Sequence, residues 1–406
     1  MMHPQDELPV RRAAEYAARH GYGKLVAFLA ARTGDVTAAE DALADAFAAA
    51  FADWPVSGVP RNPDAWLMAV AKRRLTDAAR RRRVRGDAAD HLRMMAEELE
   101  ETVDAEIPDR RLALMFACAH PAIDAAMRAP LMLQTILGFD AAAIASAFLM
   151  SPAAMGQRLV RAKQKIKQAA IPLRVPDRVE MAERLDAVLA AIYATFSAEW
   201  SDPGDLAEEA IWLGRLLVAL LLDEPEALGL LSLMLHVSAR RHARRNNAGG
   251  YVPLAEQDAS LWDATLINEA ETLLHRASAF AEIGRFQLEA AVQSAHAARR
   301  ITGTTDWSAI ERIYAALAAM TDSPVVAINH AIAIAETDGV HAGLSRLDDI
   351  ANDPRLIEYQ PYWAARAELL GRSGHAAAAD AYRRAIGLAT EPAVRTFLQQ
   401  RLTTFS

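Results

Sequence analysis

Arg158, Arg161 and Lys165 stand three and four residues apart, the spacing that brings side chains together on one side of a helix. A guanidinium in such a row can form two hydrogen bonds to the edge of guanine, and a lysine can neutralise a phosphate. Gln157, Lys163 and Lys167 flank them. Met155, Leu159, Ala162 and Ile166 fall on an adjoining side, about 100° around the helix. One face is built to pack and its neighbour is basic, so the chemistry on offer is recognition of a polyanion. The plain alternative is an amphipathic surface helix whose basic face is only solvated.

A second group follows the Pro/Gly-rich stretch from Trp54 to Pro60. The helix opened by Pro63 carries Trp66, Leu67, Val70, Ala71 and Ala78 as an apolar stripe and ends in the run Arg80 to Arg83. A basic helix beside an irregular loop holding aromatics can follow a phosphate backbone and receive an unstacked base. Alone, such a run is more often a solvated helix end.

Bond-breaking chemistry finds no comparable constellation. His236 and His242 are six apart, off the spacing that puts two ligands on one helix face, and no His-Glu-x-x-His, Gly-rich phosphate loop or Cys pair occurs. No catalytic residue, metal or cofactor is therefore expected. Cys118 and His120, just before Pro121, read as the buried end and cap of a helix, and Trp200, Trp212, Trp262, Trp307 and Trp363 as core or groove wall.

The elements that must position these residues are helices. Alanine dominates, β-branched residues are thin, and apolar residues recur at three and four with no strict alternation, which makes the expected fold class all-α. Asn62-Pro63 and Ser151-Pro152 are helix starts, with a capping side chain followed by a proline in the first turn. Asp140 can cap a short helix through Phe148. Leu149 to Ser151 makes a turn, and Pro152 opens a longer helix through about Lys167, which is helix-turn-helix spacing.

Breaks at 54–63, 86–108, 172–176, 202–205, 246–253, 302–306 and 321–324 divide the chain. The expected parts are a helical module at 8–84, an acidic linker at 85–108, a second helical module at 109–170, and a long helical region at 177–406. In that region Ala333 through Gly339, Ala342, Leu344, Leu347 and Ile350 lines up with Ala367 through Gly374, Ala377, Ala379, Tyr382 and Ala385, at an offset of 34 for the first residue and 35 from Gly339 onward. This is close to the 34-residue tetratricopeptide period, with an irregular α-bundle as the alternative. Repeats of that kind offer a groove to a protein partner.

Charge is sorted along the chain. The 406 residues carry a net −8, but residues 1–175 hold 24 basic and 21 acidic residues while 176–406 hold 20 and 31. Within the first part Arg61 to Arg85 has nine basic and two acidic residues, Gly86 to Asp109 one and nine, and Ser151 to Arg174 six and none. Two separated basic segments are the electrostatic footprint of nucleic-acid binding. The longest apolar run, Leu216 to Leu222, is far short of the ~20 residues a membrane helix needs. Met1 to Arg12 reads neither as a signal peptide nor as a transit sequence. One cysteine excludes an internal disulfide and fits a reducing, cytoplasmic setting.

Three stretches in order carry a family resemblance: Thr37 to Phe47, then Asn62 through Asp77 with its Arg run, then the helix-turn-helix ending at Gln157 to Lys163. Together the chain resembles an extracytoplasmic-function sigma factor of the sigma-70 family. Asp109 to Ala122 with the long extension resembles the branch that has a fused C-terminal tetratricopeptide-like helical domain. Ala44 and Arg73 stand where many members have Gln and Asn, and Phe196 to Trp200 replaces a more polar stretch.

The resemblance implies a promoter-specificity subunit whose partners are core RNA polymerase and promoter DNA, with no membrane and no enzymatic activity. It implies that 8–84 binds the polymerase clamp, through Asp41, Asp45 and Phe47, and the −10 element, through Asn62, Trp66, Lys72, Arg73, Arg80 and Arg81. It implies that 109–170 reads the −35 element through Gln157, Arg158, Arg161, Lys163 and Lys165. The alternative from another class is a helix-turn-helix repressor or activator with a helical-repeat sensor domain. Such a protein needs a dimer interface to read two half-sites, and no single amphipathic seam supplies one.

Overall fold

The computed structural model describes residues 21–83, 107–148, 150–198, 206–280 and 282–404. The first residues of the amino-terminal module, nearly all of the acidic linker, Trp200 and the break expected at 202–205 lie outside them. Among the described residues the fold is all-helical, with one isolated bridge between Arg245 and Tyr251. The chain forms two compact units, Met1–Ala210 and Ile211–Ser406.

The first unit starts with helix α1 (21–33), followed by α2 (Val36–Ser57) and α3 (Pro63–Arg83). Asp35 caps α2 by accepting from the Ala38 N–H at 3.1 Å, and Asn62 caps α3 by accepting from the Ala65 N–H at 3.1 Å. The break expected from Trp54 begins later, because α2 runs on through Pro55. A proline one turn from a helix end forfeits a single hydrogen bond, and Gly58, at φ 85°, then closes the helix by donating to the Trp54 carbonyl at 3.0 Å.

Next come α4 (Arg111–Cys118), α5 (Ala125–Leu137), α6 (Ala141–Ala147), α7 (Pro152–Gln168) and α8 (Arg178–Ala198). Cys118 is the buried last residue of α4. His120 sits beyond it and accepts from the Ala122 N–H at 3.1 Å, so it caps the following turn rather than the helix. Burial lifts the Cys118 thiol to about 12, against a hydrogen bond with Thr135. Leu25, Leu29, Leu43, Leu67, Leu114, Met115, Phe116 and Leu131 to Leu133 form the fully buried interior.

α8 packs on α4 and α5, burying Val188, Leu189 and Ile192. Sequence patterning assigns this helix to the extension beginning at 177, whereas its apolar face belongs to the first unit.

α9 (Leu206–Leu220) begins in the last residues of the first unit and, from Ile211, belongs to the second, where it leads into α10 (Pro225–Ala239). An irregular stretch with three 3-10 turns then precedes α11 (Ala264–Ser278), α12 (Arg285–Ala297), the single turn α13 (Arg299–Thr302) and α14 (Trp307–Met320). Two helix pairs follow, α15 (Pro324–Thr337) with α16 (Val340–Asp349) and α17 (Gln360–Arg372) with α18 (Ala378–Leu388), then α19 (Pro392–Thr403). α10 is buried along most of its length between α11 and α12.

Gly229 makes the α10–α12 crossing possible, since a Cβ there would stand 2.6 Å from the Gln287 nitrogen and 2.9 Å from its Cα. Both are backbone atoms and cannot swing aside. Gly229→Ala is expected to destabilise the second unit by about 1–3 kcal/mol, checked by a lowered urea midpoint with an unchanged slope.

Candidate nucleic-acid interface

α6, a short turn and α7 present the basic face expected from the sequence. Asp140 accepts from the Ala142 and Ala143 N–H groups at 2.9 and 2.8 Å, and Ser151 from the Ala154 N–H at 3.3 Å, so side chains cap both helices. Met155, Leu159, Ala162 and Ile166 are buried. Gln157, Arg158, Arg161 and Lys165 are exposed. Arg161 reaches back to Gln157 Oε1 at 3.5 Å, and Arg158 lies 4.0 Å from the Met150 sulfur. Neither contact is strong, and both guanidiniums are presented to solvent.

Lys163 is placed differently. It is 8 % exposed, and its Nζ donates to Glu40 Oε2 on α2 at 2.5 Å. Nearby, Lys167 Nζ donates to Asp35 Oδ2 at 2.6 Å. The helix expected to read DNA is thus docked by two lysines onto the acidic side of α2. Burial raises the Glu40 carboxyl above its usual range, against the pull of Lys163 on the charged form. The same neighbourhood, burial first and then Glu40 and Asp41, raises the Tyr22 hydroxyl.

The placement of Lys163 has a signal in the sequence, because it lies four residues after Leu159 and eight after Met155, on the packed side of α7. Its partner, 123 residues away in the chain, has none.

On α3 the exposed candidates are Asn62, Arg73 and Arg80. The Arg81 side chain lies outside the described residues. Trp66 is half-buried and meets buried Trp54 edge-on, with ring centroids 5.5 Å apart. Val70 and Ala78 are also half-buried, and the fully buried stripe is Leu67, Met68 and Ala71. Lys72, four residues after Met68, is 9 % exposed with its ammonium 5.7 Å from the centre of the Phe28 ring. Burial, and then Arg32, lower its affinity for the proton. The structure therefore leaves Arg73 and Arg80 as the solvent-facing cations of this group and holds Lys72 in the packing of α1 and α3.

Asp41 and Asp45 both project to solvent from α2, opposite buried Ala42, Leu43 and Ala46, with Phe47 half-buried beside them. Asp45 makes only a long exposed contact to Arg74 at 3.8 Å. Among the described residues no cluster of three or more His, Cys, Asp or Glu could hold a metal ion. No helix among them is long and apolar enough to cross a membrane.

Residues 18–85 match sigma-70 region 2, which implies binding to core RNA polymerase and a role in transcription initiation. Residues 184–278 match a family of unknown function, DUF6596. No solved structure matches the chain significantly. An uncharacterized protein of Rhizobium meliloti (strain 1021) is 36% identical over 381 residues, covering 90% of this chain and 89% of that protein. The chain therefore belongs to the same family as that protein, with a sigma-70 region 2 near its amino end and a DUF6596 domain behind it.

Proposed function

We propose that the protein is a cytoplasmic sigma factor of the extracytoplasmic-function type. It binds core polymerase through α2, opens and reads the −10 element through α3 and its preceding loop, and reads the −35 element through the helix-turn-helix of α6 and α7. The observation that carries this reading is the basic face of α7, with Arg158, Arg161 and Lys165 outward and the apolar stripe fully buried, in a chain that also holds sigma-70 region 2. The protein performs no chemistry of its own; polymerase does.

Promoter reading requires α7 to leave α2. Elements 25 base pairs apart are separated by about 85 Å at ~3.4 Å per pair, whereas Lys163 and Glu40 touch. The contact is suited to opening, because withdrawing two charges from water costs much of what their attraction supplies and the raised Glu40 carboxyl reports that cost. In the open form Lys163 joins Lys165 on the phosphates.

Arg158→Ala or Arg161→Ala should lower discrimination for the cognate −35 sequence by about 1–3 kcal/mol with polymerase binding intact. Lys165→Ala should instead weaken binding to all sequences and flatten its salt dependence. Run-off transcription on matched and mismatched promoters measures both. Unchanged output from the two arginine variants would remove α7 from promoter reading.

For the second unit we infer a tetratricopeptide-like arrangement of α15 to α18. Gly339 and Gly374, 35 residues apart, both take positive φ, at 95° and 70°. Gly343 and Ala378, at the same offset, are small and buried. Trp363, Arg366, His375 and Arg384 line a groove of about 440 Å³ beside these helices, where a protein partner would lie. The extension acts as a regulator needed for activity. Truncation after Ala198, which keeps α8 on the first unit, should abolish transcription from the cognate promoter while leaving a folded fragment. Full activity of that fragment would make the second unit dispensable, and higher activity would make it inhibitory.

A further inference from the structure

α10 runs into Arg240, and the irregular stretch 240–263 returns to its end, where the Asp263 N–H donates to the Ala239 carbonyl at 2.9 Å and Trp262 packs with Ala239 and Ala243. Arg240 is 8 % exposed; its Nη2 donates to Gln293 Oε1 at 2.5 Å, and its Nη1 has no hydrogen-bond partner. One turn earlier, His236 is 2 % exposed and neither ring nitrogen is hydrogen-bonded, the Glu271 carboxylate lying 3.4 Å from Nε2. Trp262 Nε1 and Gln257 Oε1, in the same stretch, are buried without partners as well. Buried polar atoms are nearly always paired, so the unpaired donors of Arg240 and Trp262 mark a missing acceptor.

The charged groups that act on Arg240 itself, Arg244 and Arg299, carry its own sign. Burial, then the field of Arg244, with Arg299 adding to it, brings its guanidinium down to about 9, and the groups opposing this are the hydroxyls of Tyr314 and Tyr251 rather than a carboxylate. His296 is held to about 4 by burial, then by Arg240 and Arg299, and His236 to about 4 by burial, then by Arg240. Arg299 stacks over the Trp262 ring at 5.0 Å and donates to the carbonyls of Leu254, Ala255 and Gln257, which fixes the irregular stretch in place. A protein that buries one guanidinium, with two half-buried ones and two neutral histidines beside it, places a positive potential inside its fold, and the natural counterpart is an anion.

We propose that this cluster is a binding site for a small free oxyanion, a phosphate or carboxylate group held by Arg240, with Arg244 beside it and the Trp262 N–H as a further donor. The depth of Arg240 selects a small molecule over a nucleic acid or a peptide. Most of the cluster falls within residues 184–278, so the site gives the DUF6596 domain a ligand-sensing role.

The test is calorimetric titration of the full chain with inorganic phosphate and, separately, with malonate, chloride holding the ionic strength constant. Saturable binding of at least one anion is expected, weakened about tenfold or more in Arg240→Gln and unchanged in Arg215→Gln, whose guanidinium pairs with Glu269 on the surface. The stronger arm assigns the ligand as phosphate or carboxylate. Bound anion should also raise the unfolding midpoint by about 3 °C at tenfold excess over Kd. No saturable heat with either anion, or binding undiminished in Arg240→Gln, overturns the proposal. If Arg240→Gln does not fold, Arg244→Gln decides, and unchanged affinity there overturns it equally.

Discussion

Charge reversal of Asp41 and Asp45 together, Asp41→Lys with Asp45→Lys, is expected to abolish co-elution of the protein with core RNA polymerase at moderate salt. Both carboxylates are exposed on the face of α2 opposite its buried alanines and leucine. The one ion pair involved, Asp45 with Arg74 at 3.8 Å, is solvent-exposed and contributes little to folding, so the variant should remain folded. Close charge pairs at a protein interface couple by about 1.5–7 kcal/mol, and reversal adds repulsion to the loss. Gel filtration with core enzyme reads the result directly, and circular dichroism verifies the fold. Normal co-elution would place the polymerase-binding surface elsewhere on the chain.

The second large effect concerns the buried pair that ties α7 to α2. Lys163→Ala leaves the Glu40 carboxylate buried with its partner gone and is expected to destabilise the first unit by about 3–5 kcal/mol. Replacing both members, Glu40→Leu with Lys163→Met, should be neutral or stabilising by up to ~4 kcal/mol, because apolar groups of similar size need no desolvation. The single and double variants thus separate the cost of an orphaned charge from the worth of the pair. The double variant should also transcribe less, since a contact without charges to rehydrate opens less readily. Denaturant melts and run-off assays on both variants measure this, and a double variant as unstable as Lys163→Ala would show that α2 and α7 meet through something other than these side chains.

The pH dependence of the same contact follows from Glu40. Because its carboxyl is raised in the folded protein, the folded state holds the proton more tightly than the unfolded chain. Stability therefore falls as pH rises from the ordinary carboxylate value through the raised one. That decline should be missing from the Glu40→Gln protein.

Much of this molecule is legible in its residues alone. The all-α class, the caps at Asn62, Asp140 and Ser151, and the buried stripe of α7 are consequences of local spacing, and local spacing is what a sequence displays. The outward-facing Arg158 and Arg161, and Asp41 and Asp45 on α2, follow from the same helical periodicity.

What only the tertiary structure decided are matters of distance through space. Lys163 and Lys72 look like solvated cations in a list of basic residues, yet each sits four positions after a buried residue and is drawn into packing, against Glu40 and over Phe28. α8 reads as the start of the extension, but its apolar face finds its match on α4 and α5. The cluster at Arg240 gathers side chains from α10, α12 and the irregular stretch 240–263 that no period connects. Electrostatic coupling and desolvation depend on which groups are brought within a few ångströms and which are shut away from water, and chain order carries neither.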